Sequence, residues 1–320
     1  MKITDRRERV MSNLLEIREN IKRIYGKYEM YITPVLKFLL TLVAILMINS
    51  ELGYMDLLKN IFVVLMASVA CAILPWGCSL VVSALFVVGH IYAMAMECAV
   101  VALAIFAIMF LLYFRFTPKD ALLVLLTPIC FFLKIPYLIP ICVGLVCTPV
   151  SVVAVGCGVV THYMVDSVSE SAIAMAGAEG EVISKFKMML EGVMGNTTMF
   201  VTLFAFILTI VVVYIIRRLA IDHSWTVAMV TGAIVNAMIL LVGDLLLDTK
   251  ISIVWLLLGS ILAVLVAKVL QFFVFNVDYS RTERVQFEDD EYYYYVKAVP
   301  KVTVAPAAKT VKKINSSRMY

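Results

Sequence analysis

The amino-acid sequence predicts an all-α fold, a polytopic helical membrane protein with about eight transmembrane helices and a re-entrant or broken helix. Hydrophobic residues make up 63% of the 320 residues and charged residues only 16%, whereas soluble domains carry about 25% charged residues. The charges are also clustered, with 13 of the 50 in residues 1–30 and 14 in residues 276–320. This composition excludes an ordinary soluble enzyme, a disordered chain and a nucleic-acid-binding domain.

The charge pattern divides the chain into three parts. Residues 1–30 are predicted to form a cytoplasmic amphipathic helix, residues 31–275 a transmembrane bundle, and residues 276–320 a cytoplasmic tail, because Lys and Arg stay on the cytoplasmic side. In the first part Asp5 is a candidate N-cap. Its apolar stripe consists of Val10, Leu14, Ile17, Ile21, Ile24 and Tyr28. Such a helix lies on the anionic inner leaflet, or it forms a short coiled coil with a partner.

The apolar segments predict where the chain crosses the bilayer, since a spanning helix needs about 20 residues. The block 60–114 is divided by Pro75-Trp76-Gly77 and marked again by Glu97. It contains either three helices or two longer, tilted ones. The predicted crossings are 31–48, 60–74, 78–95, 98–114, 139–163, 199–216, 226–247 and 251–275.

The stretch from residue 121 to residue 164 is irregular, because prolines and glycines interrupt its apolar run. Pro128, Pro136, Pro140 and Pro149 fall within 22 residues, and proline inside a helix removes a backbone hydrogen bond. Irregular backbone at membrane depth is tolerated only when it is buried in protein or lines a wet cavity. Residues 121–138 are therefore predicted to be a re-entrant hairpin or broken helix.

Two segments outside the predicted crossings carry recognisable patterns. Residues 166–195 are polar and acidic, and they contain an apolar stripe of Val182, Phe186, Met189 and Val193 that predicts an external amphipathic helix. The tail contains four acidic residues at 288–291, four tyrosines at 292–295 and a β-forming run from Val296 to Val304. We interpret the tail as solvated chain with a short strand-like segment, or as a docking motif for a soluble partner.

Glu97 and His90 are the first candidates for a substrate or ion pathway, because ionisable groups at membrane depth are costly. They are seven residues apart, so on one continuous helix they would share a face. Together they would relay a proton or hold a cation. The alternative is that Glu97 lies in a tight outer turn between two short helices.

Lys134, Asp244 and Asn236 are the other pathway candidates. Lys134 lies between the two halves of the proline-rich break, where half-helix ends can bind ions or anions. Asp244 and Asn236 are eight residues apart, on roughly the same helical face, and the alternative for Asp244 is an interfacial acid. His162 and Asp166 would pair near the outer boundary or simply be solvated. The seven cysteines and the chain's motifs predict no metal site and no cofactor.

The leading functional hypothesis is a permease-like transporter, or a transporter subunit, for a small solute or ion. It is based on the span count, the broken helix and the few buried polar groups. The alternative is a non-transporting membrane scaffold or sensor that docks cytoplasmic partners through its tail or N-terminal helix. The sequence contains no convincing catalytic pair, so no enzyme is predicted. The expected location is the cell membrane, with the lipid bilayer as partner, both termini cytoplasmic and no bound nucleic acid.

Overall fold

The computed structural model describes residues 2–177, 182–249, 252–275 and 282–300. The chain divides into two units, the first formed by Met1–Glu29 with Asn276–Tyr320 and the second by Met30–Phe275. The second unit is a helical bundle and contains the candidate functional residues.

Over these described ranges the fold is all-α apart from one β-hairpin, as the sequence predicts, and seven helical segments are long and apolar enough to cross a membrane. The helices are α1 (Lys2–Glu51), α2 (Asp56–Lys59), α3 (Ile61–Ile73), α4 (Trp76–Met94), α5 (Met96–Phe116), α6 (Ala121–Phe132), α7 (Leu138–Val146), α8 (Val152–Gly177), α9 (Val182–Met194), α10 (Thr197–Arg217), α11 (Ser224–Leu247) and α12 (Ile253–Val274). The strands are β1 (Glu283–Glu288) and β2 (Tyr293–Ala298).

Helix α1 differs from its prediction at both ends. It is already helical at Lys2, so Asp5 is not the N-cap, and it continues past residue 30 to Glu51. The break that the charge pattern indicated is a local one, because Tyr28 has non-helical backbone angles (φ −115°, ψ 18°). From Leu14 to Tyr28 the apolar stripe is exposed. An exposed apolar surface of this kind is typical of a helix that contacts a bilayer or a partner.

The block 60–114 forms three helices, which confirms the first of the two alternatives. Asn60 caps α3, since its Oδ1 accepts a hydrogen bond from the Phe62 N–H at 3.0 Å. Helix α3 runs antiparallel to the end of α1: Asn49 Nδ2 donates to the Leu58 carbonyl at 2.9 Å, and Lys37 Nζ donates to the Leu74 carbonyl at 3.0 Å. Its 13 residues extend about 20 Å.

The bundle has two ends, which we name by their residues. Face A contains the C-terminal ends of α5, α7 and α10, and face B contains the C-terminal end of α1 and the first turns of α5 and α10. Two hydrogen bonds show which helix ends lie at the same face. Ser169 Oγ donates to the Glu51 carbonyl at face B, and Lys268 Nζ donates to Thr226 Oγ1 at face A. Among the described residues, α1, α4, α5, α8, α10, α11 and α12 are long enough to connect the two faces, whereas α3 is shorter.

Helices α6 and α7 form a re-entrant hairpin that enters and leaves at face A. Ser151 Oγ, just beyond the second arm, donates to Asp120 Oδ2 at the start of the first arm, at 2.6 Å. Arg217 at the end of α10 donates to the carbonyls of Leu145 and Cys147. The predicted re-entrant segment is confirmed, but its bounds were wrong. The second arm is α7, and the crossing that was placed at residues 139–163 is α8, which begins at Val152 and continues to Gly177.

The hairpin lies between two groups of helices. Its first arm packs against α4 and α8, and its second arm packs against α10, α11 and α12. Glycines allow this close approach, because a methyl group added at Gly158 of α8 would lie 2.5 Å from Thr127 Cβ of α6. The 12 residues of the first arm extend about 18 Å, more than half of a hydrocarbon core about 30 Å thick. The hairpin turn therefore lies at membrane depth.

Helix α9 confirms that the range 166–195 contains a helix, although residues 166–177 belong to α8 instead; its predicted external position stays a prediction. Met189 and Val193 are fully buried against α5 and α8, with which α9 packs. Phe186 and Ile183 remain exposed. Of the predicted stripe, Met189 and Val193 are therefore used for packing and Phe186 is not, while the side chain of Val182 lies outside the described residues.

The described part of the tail is a two-stranded antiparallel hairpin, where the sequence predicted only a strand-like segment. Its register pairs Val285 with Val296 and Phe287 with Tyr294 on one face. The rings of Phe287 and Tyr294 stack with centroids 4.9 Å apart. The side chains of β1 and β2 remain largely exposed.

Asp289 organises the turn of this β-hairpin, and we expect its charge to control the hairpin's stability. Its carboxylate accepts hydrogen bonds from the Glu291 N–H at 2.9 Å, the Tyr294 hydroxyl at 2.8 Å and the Tyr292 N–H at 2.7 Å. These bonds hold the pKa of Asp289 below its usual range. The stabilisation is therefore present above a pH of about 4 and is lost as the pH falls through the lowered pKa.

The measurement is amide hydrogen exchange over residues 283–298 of the full protein, corrected for the pH dependence of intrinsic exchange. Protection should fall on acidification in the unmodified protein. Asp289→Asn should lower protection at neutral pH and remove the pH dependence, whereas Asp290→Asn should change neither. Equal behaviour of the two variants would contradict the assignment.

Candidate functional site

His90 is a structural bridge between helices rather than a free base. It is fully buried. The Met55 N–H donates to its Nδ1 at 3.1 Å, and its Nε2 lies 2.7 Å from Asn49 Oδ1. Because Nδ1 accepts the hydrogen bond from the Met55 N–H, it carries no hydrogen of its own. In the neutral ring Nε2 therefore carries the hydrogen and donates it to Asn49 Oδ1. Both ring nitrogens are thus used to join α4, α1 and the loop before α2.

Glu97 does not share a helical face with His90, because the helix is interrupted between them. Ala95 adopts an extended conformation (φ −155°, ψ 119°) and separates α4 from α5. Glu97 lies in the first turn of α5, where a negative charge interacts favourably with the helix dipole. This is the outer-turn geometry that the sequence offered as the alternative. Whether Glu97 contributes to a pathway stays a prediction.

The three other sequence candidates lie elsewhere in the bundle. Lys134 occupies the hairpin turn with a positive φ of 60°, and its ammonium lies 5.7 Å from the centre of the Trp255 ring. Asp244 accepts a hydrogen bond from Thr249 Oγ1 at 3.1 Å near the end of α11. Asn236 is fully buried, and its Oδ1 lies 3.4 Å from Thr209 Oγ1.

The structure contains a cavity of about 90 Å³ between α1, α4, α5, α6 and α8, and none of the five sequence candidates lines it. Its walls are mostly apolar. They are formed by Ala44, Met47, Ile48, Glu51, Leu80, Ser83, Ala84, Val87, Phe106, Met109, Phe110, Tyr113, Val124, Leu125, Pro128, Ile129, Phe132, Cys157, Thr161, His162 and Val165. Pro128 belongs to the re-entrant hairpin, so the hairpin forms one wall.

The residues that line the cavity extend along the lengths of the helices. On α4 it extends from Leu80 to Val87, and on α8 from Cys157 to Val165. Seven or eight helical residues correspond to about 10–12 Å. Toward face A it ends at Tyr113, which is buried and donates its hydroxyl hydrogen to the Pro118 carbonyl at 2.8 Å. We call this end the floor.

The opposite end of the cavity is more polar and reaches the surface. Glu51, at the end of α1, is exposed, and Phe132 at the end of α6 is 43% exposed. Thr161 and His162 lie on the α8 wall between this mouth and the middle of the cavity. The His162 ring stacks on Phe131 with centroids 4.4 Å apart. The predicted pairing of His162 with Asp166 at the outer boundary is therefore replaced by a position inside the bundle.

Ser83 places a polar group in the middle of the apolar walls. It is 7% exposed, and its Oγ has no hydrogen-bond partner among the described residues. A buried hydroxyl without a partner is costly, by about 1–3 kcal/mol. A water molecule or a polar group of a ligand would satisfy it. Sequence reasoning missed Ser83, Thr161 and Glu51, since nothing in the pattern of one helix shows which residues of other helices it will face.

We expect His90 and Asn49 to stabilise the protein as one coupled unit. His90→Leu leaves the Met55 N–H and Asn49 Oδ1 without partners, and each single variant should lose about 1–2 kcal/mol of unfolding free energy. The double variant with Asn49→Leu should lose less than the sum, by about 1 kcal/mol. Denaturant unfolding in detergent measures all four proteins. Additive losses would show that the hydrogen bond between them contributes nothing.

Comparisons with known proteins do not indicate a function for this chain. Within the residues that the structure describes, no group of three or more His, Cys, Asp or Glu side chains is arranged to hold a metal ion. The chain's own geometry is that of a multi-pass membrane protein with an internal cavity beside a re-entrant hairpin. No protein-family model, no curated protein and no solved structure matches this chain.

Proposed function

We propose that the protein is a permease-like transporter, or a transporter subunit, for a small solute, and that the cavity beside the re-entrant hairpin is its binding site. The single observation that carries this proposal is the position of the cavity. It lies at membrane depth, it is bounded by the hairpin arm α6, and it reaches the surface at face B. Re-entrant and broken helices form the binding sites of many transporters.

Two further features support a route for a small solute rather than for a fully hydrated ion. The walls between the mouth and the floor are mainly apolar, and the polar groups are Ser83, Thr161 and His162 on two facing helices. A site of this kind fixes a ligand by a few hydrogen bonds and otherwise by burial. Glu51 is the carboxylate at the mouth.

The test is uptake into liposomes that contain the purified full-length protein. Thermal unfolding in the presence of a panel of small solutes first identifies a ligand, because a ligand that binds the folded state raises the melting temperature. We expect the identified solute to accumulate, and Ala84→Phe, which fills the cavity, to abolish uptake. Uptake that persists in a folded Ala84→Phe protein would overturn the assignment of the route.

A second candidate function, a membrane scaffold or sensor, is favoured by the β-hairpin. Val285, Phe287, Tyr294 and Val296 form an exposed apolar face, and within the described part of the chain neither strand has a second neighbour. An isolated two-stranded hairpin is marginally stable in water, and an open edge is a template for pairing with another strand. Deleting residues 283–298 would abolish partner binding under this hypothesis and would leave solute uptake unchanged.

We also propose that face A is cytoplasmic. Arg115, Lys119, Arg217 and Arg218 all lie at the ends of helices on that face, and basic residues are retained inside. In a cysteine-free background in intact cells, an impermeant maleimide should label Asp248→Cys and should not label Lys119→Cys. The reverse pattern would invert the orientation.

A further inference from the structure

We infer that the cavity binds a single-chain amphiphile, with its alkyl chain toward the floor and an uncharged or cationic, hydrogen-bonding head toward the mouth. The inference rests on the proposed function, because it names the ligand class of the same cavity. Binding and uptake are measured separately, so the two proposals can fail independently.

The shape of the cavity selects a chain. A length of about 10–12 Å with a volume of only about 90 Å³ describes a narrow shaft. An engineered cavity of about 150 Å³ takes up benzene, so this shaft is too small for a bulky ring system. Benzene has six carbon atoms, so a volume of about 90 Å³ holds only about three or four carbon atoms of a ligand. A flexible alkyl chain meets this limit by placing its end at the floor while the rest of the chain extends toward the mouth.

The floor of the shaft has the chemistry of a chain-binding site. Leu80, Met109 and Val124 are buried there and present only apolar groups. The Tyr113 hydroxyl donates its hydrogen to the Pro118 carbonyl, so it is not available to a ligand as a donor. Burial of an alkyl chain against these side chains is favourable because it removes apolar surface from water.

The polar groups increase toward the mouth and locate the head group. Ser83 Oγ, buried and without a partner, is the deepest of them. Thr161 Oγ1 already donates to the Cys157 carbonyl at 2.8 Å, so it offers its lone pairs to a donor. The His162 imidazole lies on the same wall and offers one donor and one acceptor when neutral. A head that donates a hydrogen bond therefore finds acceptors on the α8 wall.

Glu51 determines which charge of head is accepted. Its carboxylate lies at the mouth, and an anionic head would be brought next to a like charge. A hydroxyl or an ammonium head meets no such penalty, and an ammonium gains from the carboxylate. The shaft should therefore discriminate against fatty acids and phosphate-bearing lipids, although their chains are equally apolar.

The experiment is photolabelling of the full-length protein in phosphatidylcholine nanodiscs with an octanol that carries a diazirine. Labelled peptides are mapped by mass spectrometry, and only labelling that unlabelled octanol displaces is counted. We expect this labelling on α4, α6 and α8 at residues that line the shaft. Octylamine should compete at least as well as octanol, and octanoate about tenfold less well, a difference of about 1.4 kcal/mol.

Two matched pairs of variants test the residues. Ser83→Ala should weaken octanol binding several-fold, whereas Ser79→Ala should not, because Ser79 is also buried and without a partner but does not line the cavity. Glu51→Gln should remove the preference against octanoate. Glu97→Gln should leave it unchanged, because Glu97 is another carboxylate at face B that lies outside the cavity.

Three results would overturn the inference. They are displaceable labelling that maps away from the shaft, octanoate that competes as well as octylamine, and a Glu51→Gln protein that discriminates as before. Glu51 is exposed, so this variant should fold even if a shaft-filling variant does not. Binding without uptake would leave the inference standing and would refute the proposed transport.

Discussion

Gly158→Val should be the most disruptive small substitution in the bundle, with a loss of about 3 kcal/mol of unfolding free energy. A methyl group at Gly158 would lie 2.5 Å from Thr127 Cβ and 3.0 Å from the Val124 carbonyl oxygen. The backbone carbonyl cannot rotate away, so α8 must separate from the hairpin arm α6. Small residues at helix contacts are what allow close packing in membranes, where burial in lipid-like surroundings provides little driving force.

The matched control is Gly156→Val, two residues earlier on the same helix. A methyl group there would meet only Leu203 Cδ2, at an ordinary contact distance of 3.6 Å. Both variants replace a glycine of α8 by valine, so the difference between their unfolding free energies isolates the contact with α6. Titration with SDS in mixed micelles measures the unfolding free energy. A Gly158→Val protein as stable as Gly156→Val would mean that the hairpin arm is not packed as described.

Arg217→Met should cost a similar amount, about 3 kcal/mol, by releasing the second arm of the hairpin. Arg217 donates to the carbonyls of Leu145 and Cys147, which lie at the end of α7, where helices leave carbonyls without partners. The positive guanidinium also interacts favourably with the negative end of the α7 dipole. Each hydrogen bond to a charged group contributes about 1.5–3 kcal/mol.

Arg218→Met is the control for this second prediction. Arg218 has the same charge at the next position, and its guanidinium carbon lies 4.8 Å from the centre of the Tyr214 ring. An exposed contact of this kind is worth about 0.5–1 kcal/mol. Thermal unfolding should therefore separate the two variants clearly. Similar melting temperatures would show that the carbonyl contacts of Arg217 do not hold α7.

The sequence predicts most crossings of the bundle because long apolar runs have few alternatives in a membrane. It misplaces α8 for a specific reason. Pro140 looks like a break, but it is the third residue of α7, where a helix has no intrahelical partner for the missing N–H. The true break lies at Cys147-Thr148-Pro149, because Thr148 is extended and Pro149 begins a short 3₁₀ turn.

The cavity was harder to predict than the crossings. Sequence reasoning selected mainly charged residues, because ionisable groups at membrane depth are costly. His90 is instead satisfied by Asn49 and a backbone N–H, and Lys134 lies over Trp255. The groups that face the cavity include a serine and a threonine, which are common in membrane helices. Only the relative rotation of the five helices brings them to one cavity.

The hairpin has a consequence for how the protein is made. It begins and ends at face A, so it leaves the direction of every later helix unchanged. If residues 121–146 were integrated during synthesis as one spanning helix, then α8, α10, α11 and α12 would all enter the bilayer backwards. A lysine near the centre of an inserting segment is opposed by about 2.5–3.5 kcal/mol, and Lys134 occupies that position in the middle of the segment. Its charge thus opposes insertion of the segment as a single spanning helix.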